Sequence, residues 1–274
     1  MKKSLLGEES PNTNGWTPEP FYHDLYNDLF YKDIIFPGKK DGYFVEVGAL
    51  DGLVMSQSYL FEKLLNWKGI VVEPNPIWKD ALFLNRECNI STEAVSDKRG
   101  ISTFECREIA AFSGLKSSVN DARTSDIIDE FEVKTITLCD LFDACNAPEK
   151  IDWVSIDTEG AELVILEQFF LENKKYKINL LSFESHQSYL AEKILEGQPY
   201  FKIKNPYLDF AKISNQGLLK FNPFTGEVFK NPYKEWVYEG NWFSDNLQDI
   251  NFEHYYIHID YLKDNLHLKK FLIN

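Results

Sequence analysis

The stretch Tyr43–Gly52, Tyr-Phe-Val-Glu-Val-Gly-Ala-Leu-Asp-Gly, limits the possible folds of this chain more than any other segment. Its first half is a short, largely apolar and β-branched run, the signal of a buried strand. The second half sets Gly48 and Gly52 around Asp51, where the backbone must turn sharply and leave room for a neighbour. An amphipathic helix follows, with Leu60, Phe61, Leu64 and Leu65 at helical spacing up to Trp67, and Ser56 and Ser58 both suit its N-cap. Strand, glycine turn and helix in that order mark the place where an α/β sheet holds a nucleotide-like cofactor.

The same unit recurs along the chain. Ile70–Glu73 reads as a second buried strand closed by Pro74 and Pro76, and a helix carries Ile77, Ala81, Leu82 and Leu84. A third strand is expected over Ile90–Val95. Short βα connections of this kind imply a parallel sheet with right-handed crossovers. Ile101–Cys106 alternates like an edge strand, and residues 107–132 lack a clear period, which suggests a functional loop or lid. After an alternating run over Val133–Leu138 comes a short helix, Leu138–Ala144. Regular α/β structure resumes with a strand at Ile151–Asp157 and a helix faced by Leu163, Leu166, Phe169 and Phe170. A strand at Ile178–Phe183 and a helix reaching about Leu195 follow.

At the two ends the pattern differs. Residues 1–20 hold Pro11, Pro18, Pro20 and Gly15 and read as a loose arm, followed by a short helix between Phe21 and Phe36. Past Tyr200, turn signals at Asn205-Pro206, Asn222-Pro223, Thr225-Gly226 and Asn231-Pro232 interrupt aromatic-rich runs, which reads as β-hairpins. Leu218–Phe221 and Glu227–Phe229 are the clearest pair. Residues 1–36 are therefore expected to form an arm and helix, and residues 37–274 a single domain in which 200–274 closes the sheet and elaborates one side.

Charge narrows the partners. With 43 acids against 29 bases the formal charge is -14, which repels phosphate backbones and anionic membrane surfaces. No extended nucleic-acid interface and no membrane contact is expected. The first residues, Met1-Lys2-Lys3-Ser4-Leu5-Leu6, lack the apolar core of a signal peptide, and no run approaches the ~18 apolar residues of a membrane span. Cys88, Cys106, Cys139 and Cys145 have no C-x-x-C spacing and no nearby His pair, which fits reduced thiols of a cytoplasmic protein and assigns no metal.

Four strand ends carry polar groups: Glu46–Gly52, Glu73, Asp157–Glu162 and Glu184–His186. In a parallel sheet they share one edge, where ligands bind. Taken singly, Glu73 reads as a solvated loop acid and Asp157 as a helix N-cap. Together they point to a site. Glu73 lies 25 residues beyond Gly48, where a carboxylate can accept both hydroxyls of a ribose. The turn is not G-x-G-x-x-G, and the acids Glu46 and Asp51 beside it would repel a diphosphate; the cationic sulfonium of S-adenosylmethionine is the better electrostatic match.

Phe44–Gly52, Ser56 and Ser58, Glu73-Pro74-Asn75-Pro76, Ala94-Val95-Ser96 and Ile156–Glu162 together resemble the FkbM-type S-adenosylmethionine-dependent methyltransferases. The likeness covers roughly residues 40–190. It implies a Rossmann-like seven-stranded α/β methyltransferase sheet, mostly parallel with the last strand antiparallel. It also implies that Glu46, Gly48, Ala49, Asp51 and Gly52, with Ser56, hold the methionine part of the cofactor. Glu73 would take the ribose, with Pro74 and Asn75 beside it, and Ala94 and Val95 would flank the adenine. Asp157, Glu159 and Glu162 would line the acceptor side, Asp157 reaching the cofactor as well. The acceptors implied are hydroxyl groups on sugars and small natural products.

Transfer to an alcohol oxygen needs alignment and a base. Asp157, Glu159, Glu184 and His186 are the candidates, and histidine is the residue type suited to proton transfer near neutrality. His186 is equally readable as a helix-start residue with a satisfied ring. Asp157, Glu159 and Glu184 also offer oxygen ligands for a divalent ion, the lesser reading. His254 and His258 sit four apart, but their surroundings read as a strand. Two other functions remain open from the residues: a non-catalytic binding module that keeps the cofactor fold, and an NAD-dependent nucleotide-sugar oxidoreductase.

Overall fold

The computed structural model describes residues 27–118, 125–206, 219–221, 228–230 and 253–273. The first strand, β1 (Tyr43–Val47), is preceded by a helical turn, α1 (Asn27–Leu29), that widens into π-helical Phe30–Ile35. After β1 come α2 (Tyr59–Leu65), β2 (Lys68–Val72), α3 (Lys79–Asn85) and β3 (Asn89–Ser91). Four strands follow, β4 (Ala94–Val95), β5 (Gly100–Arg107), β6 (Gly114–Leu115) and β7 (Ile127–Ile136). The chain continues through α4 (Leu138–Ala144), β8 (Lys150–Ile156), α5 (Glu162–Glu172), β9 (Lys177–Glu184), α6 (Ser188–Leu195) and β10 (Tyr200–Lys202). Strands β11 (Leu219–Phe221) and β12 (Val228–Lys230) pair antiparallel, and β13 (Glu253–His258) leads into α7 (Ile259–Asp264).

The central sheet has seven strands in the order β10-β13-β9-β8-β1-β2-β3. From β9 across to β3 every pairing is parallel, whereas β13 runs antiparallel to both β9 and β10. Burial on both faces explains the parallel part, because such strands must read as continuous apolar runs. Phe44, Trp153, Leu180 and Tyr255 face a layer containing Phe30, Tyr31 and Phe61. On the other face Val45, Val154, Ile156 and Phe183 pack with Leu141, Phe142, Leu166 and Ala191 from α4, α5 and α6. Helix α4 begins at a capping box, in which the Thr137 hydroxyl accepts the Asp140 N–H and the Asp140 carboxylate accepts the Thr137 N–H.

Three expectations change. The run over Ile90–Val95 is not one strand: β3 ends at Ser91 in the central sheet, and β4 belongs to a second, four-stranded sheet in the order β4-β7-β5-β6. Residues 107–132 are not all loop, since β6 lies within the segment and β7 starts at Ile127, both in that second sheet. Helix α3 leaves Leu84 81% exposed, so it packs through Leu82 instead. As the flanking residues suggested, His254 and His258 lie on a strand. The part of the expected first helix before Asn27, and most of the aromatic run past Tyr200, fall outside the described residues.

Candidate active site

Register brings the four polar strand ends together. Val47 pairs with Val72 on one side and Ile156 on the other, and Ile156 pairs with Phe183. The residues that follow, Glu73, Gly48, Asp157 and Glu184, therefore emerge side by side on one edge, at the ~4.8 Å spacing of neighbouring strands. Antiparallel β13 sets Glu253 opposite Glu184 and extends the row.

The turn after β1 is built from inside. Gly48 has φ +91°, and a Cβ there would lie 1.8 Å from the carbonyl oxygen of Asp157. Only glycine lets the two turns cross so closely. The N–H groups of Gly48 and Ala49 both donate to the Val72 carbonyl at 2.9 and 3.0 Å, and the Gly52 N–H donates to the Ala49 carbonyl at 2.8 Å. Leu50 adopts a left-handed φ of +49°, rare for a bulky side chain, and its N–H donates to Glu73 at 3.0 Å. Asp51 accepts the N–H groups of Leu53 and Val54 at 2.9 and 2.8 Å. Burial raises the pKa of its carboxyl despite those two bonds.

Below the turn lies a buried ionic network that sequence reasoning missed. The Glu46 carboxylate accepts the Gln57 N–H at 2.7 Å and bonds from the hydroxyls of Ser56 and Ser58. Arg86, fully buried, donates to Glu46 at 3.4 Å, to Glu62, to the Gly52 carbonyl at 3.2 Å and to Ser58 at 2.7 Å. Its guanidinium also lies over the Phe44 ring at 5.4 Å. Ser56 accepts the N–H groups of Ser58 and Tyr59 and so caps the start of α2, whereas the Ser58 hydroxyl serves Glu46. Glu46, Asp51 and Ser56 thus shape the loop, with both Glu46 oxygens, Asp51 Oδ1 and the Ser56 hydroxyl bonded within it.

This changes the electrostatic argument against a diphosphate. Arg86 offsets Glu46, and Asp51 is turned into its own loop. The stronger objection is the donor count: the N–H groups of residues 48, 49, 50 and 52 are all bonded internally, so the turn offers little of the N–H nest that a pyrophosphate requires.

Glu73 is the acid left at the crevice. It is buried, it accepts the N–H groups of Leu50 and Asn75 at 3.0 and 2.8 Å, and desolvation pushes its pKa up to about 7. Two carboxylate oxygens each hold one donor and keep a further lone pair, which suits a diol. Beside it the Asn75 side-chain oxygen accepts the Ile77 N–H at 3.2 Å and sits 3.7 Å from the Cys106 sulfur. The Asn75 amide nitrogen is buried with no hydrogen-bond partner among the described residues, an orphan donor next to Glu73. A ligand with ring nitrogens would satisfy it. Pro74 separates the two, and the Glu73 N–H donates to the Ser91 carbonyl at 3.0 Å. Ala94 and Val95 follow, buried, at the join between the sheets.

On the other side the Asp157 N–H donates to the Val47 carbonyl at 2.9 Å. Asp157 is not a helix N-cap, since Ala161 occupies that position of α5. Glu162 is buried and its Oε1 accepts the N–H groups of Thr158 and Gly160 and the Thr158 hydroxyl at 2.7, 3.0 and 2.8 Å, so it organises the turn that carries Glu159. Glu159 itself has φ +65°. At the end of β9, His186 Nε2 lies 3.8 Å from Glu184 Oε1. Both border a groove of about 830 Å³ between α5 and α6, shared with Gly160, Glu162 and Lys193. Among the described residues no three His, Cys, Asp or Glu side chains converge on a metal position. No helix among the described residues is long and apolar enough to cross a membrane.

Comparison with known proteins agrees with the sequence motifs. Residues 46–217 match the family model described as Methyltransferase FkbM domain. No curated protein matches the chain. Among solved structures it is similar to a precorrin-6y C5,15-methyltransferase from Geobacter metallireducens GS-15, with 12% identity over 66% of this chain and 77% of that one, at TM-score 0.34. The human methyltransferase 10 domain containing protein gives 13% identity over 73% and 84%, at TM-score 0.37. The plantazolicin methyltransferase BpumL, in complex with SAH, gives 10% over 86% and 81%, at TM-score 0.30. At such TM-scores these likenesses carry no weight for the reaction. The family match, which spans more than half of the chain and both turn motifs, does: the chain belongs to the FkbM methyltransferase family, and its methyl donor is S-adenosylmethionine.

Proposed function

We propose that this chain is an O-methyltransferase acting on a hydroxyl group of a carbohydrate or small natural product. The observation that carries the reading is the row of strand ends, in which Glu73 stands on one side of Gly48 and Asp157 and Glu184 on the other. Residues 46–52 and 73–75, with Ala94 and Val95, would hold the cofactor; when bound, it supplies an electrophilic methyl group for in-line displacement. Glu73 would accept the ribose hydroxyls, and the Asn75 amide would donate to the base. Glu184 and His186 stand on the acceptor side, next to a groove that an acceptor can enter, and one of them would take the proton that an alcohol must lose. Asp157 and Glu159 would orient the acceptor. Positioning of this kind supplies several kcal/mol, roughly 7–11 in favourable cases.

Incubating the protein with trideuteromethyl-labelled S-adenosylmethionine and fractionated cell extract tests the reading. A labelled product whose methyl group survives mild alkali and is placed on an ether oxygen by the chemical shift of its methyl carbon is the expected result. A product that loses its label in alkali is a methyl ester, and a methylated nitrogen or carbon would equally overturn the hydroxyl acceptor.

A further inference from the structure

His254 lies outside every motif, yet its ring reaches the turn that follows β9. On β13 it stands opposite Phe183, and the two rings stack at 5.1 Å with their planes 20° apart. It is 1% exposed. Its Nε2 is 3.0 Å from the carbonyl oxygen of Ser185, the residue between Glu184 and His186. A carbonyl oxygen can only accept, so Nε2 must carry the proton. The other nitrogen, Nδ1, is buried without a hydrogen-bond partner among the described residues, which is tolerable for a lone pair and costly for a second N–H. Ser185 in turn accepts the Gln187 N–H on its hydroxyl at 3.1 Å, closing the turn into α6.

We propose that His254, held as the neutral Nε2–H tautomer, is the positioning residue that fixes the Glu184–Ser185–His186 turn and thereby aims the proton-accepting pair at the acceptor. The role rests on the methyltransferase reading of that edge. His254 touches no reacting atom; it acts through the Ser185 carbonyl. Burial, which lowers its pKa, keeps the ring neutral and agrees with the tautomer that the geometry requires. Glu184 and His186 end a strand at a solvent-open groove, and the His254 bond reaches the turn between them from the neighbouring strand.

The test uses the full chain, as wild type and as His254→Phe and His254→Gln. Phe keeps a ring on Phe183 and removes the donor; Gln keeps a donor and removes the ring. Amide hydrogen exchange at Gln187 is expected to accelerate about tenfold in His254→Phe, the scale of one lost hydrogen bond, and to return towards wild type in His254→Gln. S-adenosylmethionine affinity, read by calorimetry, should be unchanged in both. Equal exchange in all three proteins, or equal damage from Gln and Phe, would show that the ring merely fills space and would overturn the proposal. If the variants do not fold, ¹⁵N resonances of His254 in the wild type decide it: a protonated Nε2 at neutral pH supports the role and a protonated Nδ1 overturns it. Failure of wild-type protein to bind S-adenosylmethionine would count against the methyltransferase reading instead.

Discussion

Gly48 crosses Asp157 so closely that a Cβ on Gly48 would sit 1.8 Å from the Asp157 carbonyl oxygen. The two turns that carry the family's motifs are thus in backbone contact, and neither can move alone. Gly48→Ala must both relieve that overlap and adopt φ +91°, with an expected loss of about 3 kcal/mol of stability or more. Urea denaturation measures it, and S-adenosylmethionine binding should fall with it. An alanine variant of wild-type stability would mean that the loops part easily.

Arg86 is buried in the network under the turn and faces both Glu46 and Glu62; the Lys63 ammonium also lies 3.6 Å from Glu62. Arg86→Met leaves the buried Glu46 carboxylate without its cationic partner and Glu62 with Lys63 alone, and breaking a buried pair typically costs about 3–5 kcal/mol. Arg86→Lys should recover part of the loss, because a point charge replaces a five-donor fork. Urea midpoints of the three proteins check the order.

Glu73 links cofactor affinity to pH. Its pKa is raised to about 7, so it is protonated below that value, and a ribose diol donates best to the ionised form. Affinity for S-adenosylmethionine is therefore expected to rise as pH passes from 6 to 8, and Glu73→Gln should be weaker and flat across that range. Stability runs the other way. Between the ordinary 4.5 and about 7 the folded state binds more protons than the unfolded state, so the free protein loses stability as pH rises through that window. Glu73→Gln should then be the more stable free protein at pH 8, a cost of function that bound cofactor offsets by mass action.

The histidines of β13 act with the opposite sign. Burial lowers the pKa of His254 and His258 below the ordinary 6.5, with Lys202 lowering His254 further while the Ser185 carbonyl and Glu192 raise it. Below pH 6.5 the unfolded chain takes up protons that these rings refuse, so their contribution is complete above that value and is lost as pH falls. Because Glu73 gains stability over much of the same range, the effect is cleanest in Glu73→Gln: its urea midpoint should drop between pH 7 and 5.5, and less so once His254→Phe is added.

The parts legible from sequence were those whose signal is local. Buried parallel strands such as Ile70–Val72 and Ile151–Ile156 must be apolar on both faces, and the glycine at 48 and the acid at 73 follow from strand ends. The second sheet was legible only in part: Ile101–Cys106 and the end of β7 alternate, but β7 begins Ile127-Ile128-Asp129-Glu130 with all four residues exposed, so no apolar face marks its start. Arg86 and His254 were missed for another reason. Their partners Glu46 and Ser185 lie 40 and 69 residues away, and a lone Arg or His carries no spacing that announces a distant partner. The carboxylates of Glu46 and Asp51 were legible as residues at the turn, but the inward direction of Glu46 goes with that same distant arginine, whereas Asp51 is held by the Leu53 and Val54 N–H groups.

Calorimetric titration of the full chain with S-adenosylmethionine, beside Glu73→Ala and with NAD as a control, tests the central claim most directly. One binding event per chain, at least tenfold weaker in Glu73→Ala and absent with NAD, is the expected result. No heat with S-adenosylmethionine, or the same affinity in Glu73→Ala, would contradict a cofactor site at Gly48 and Glu73.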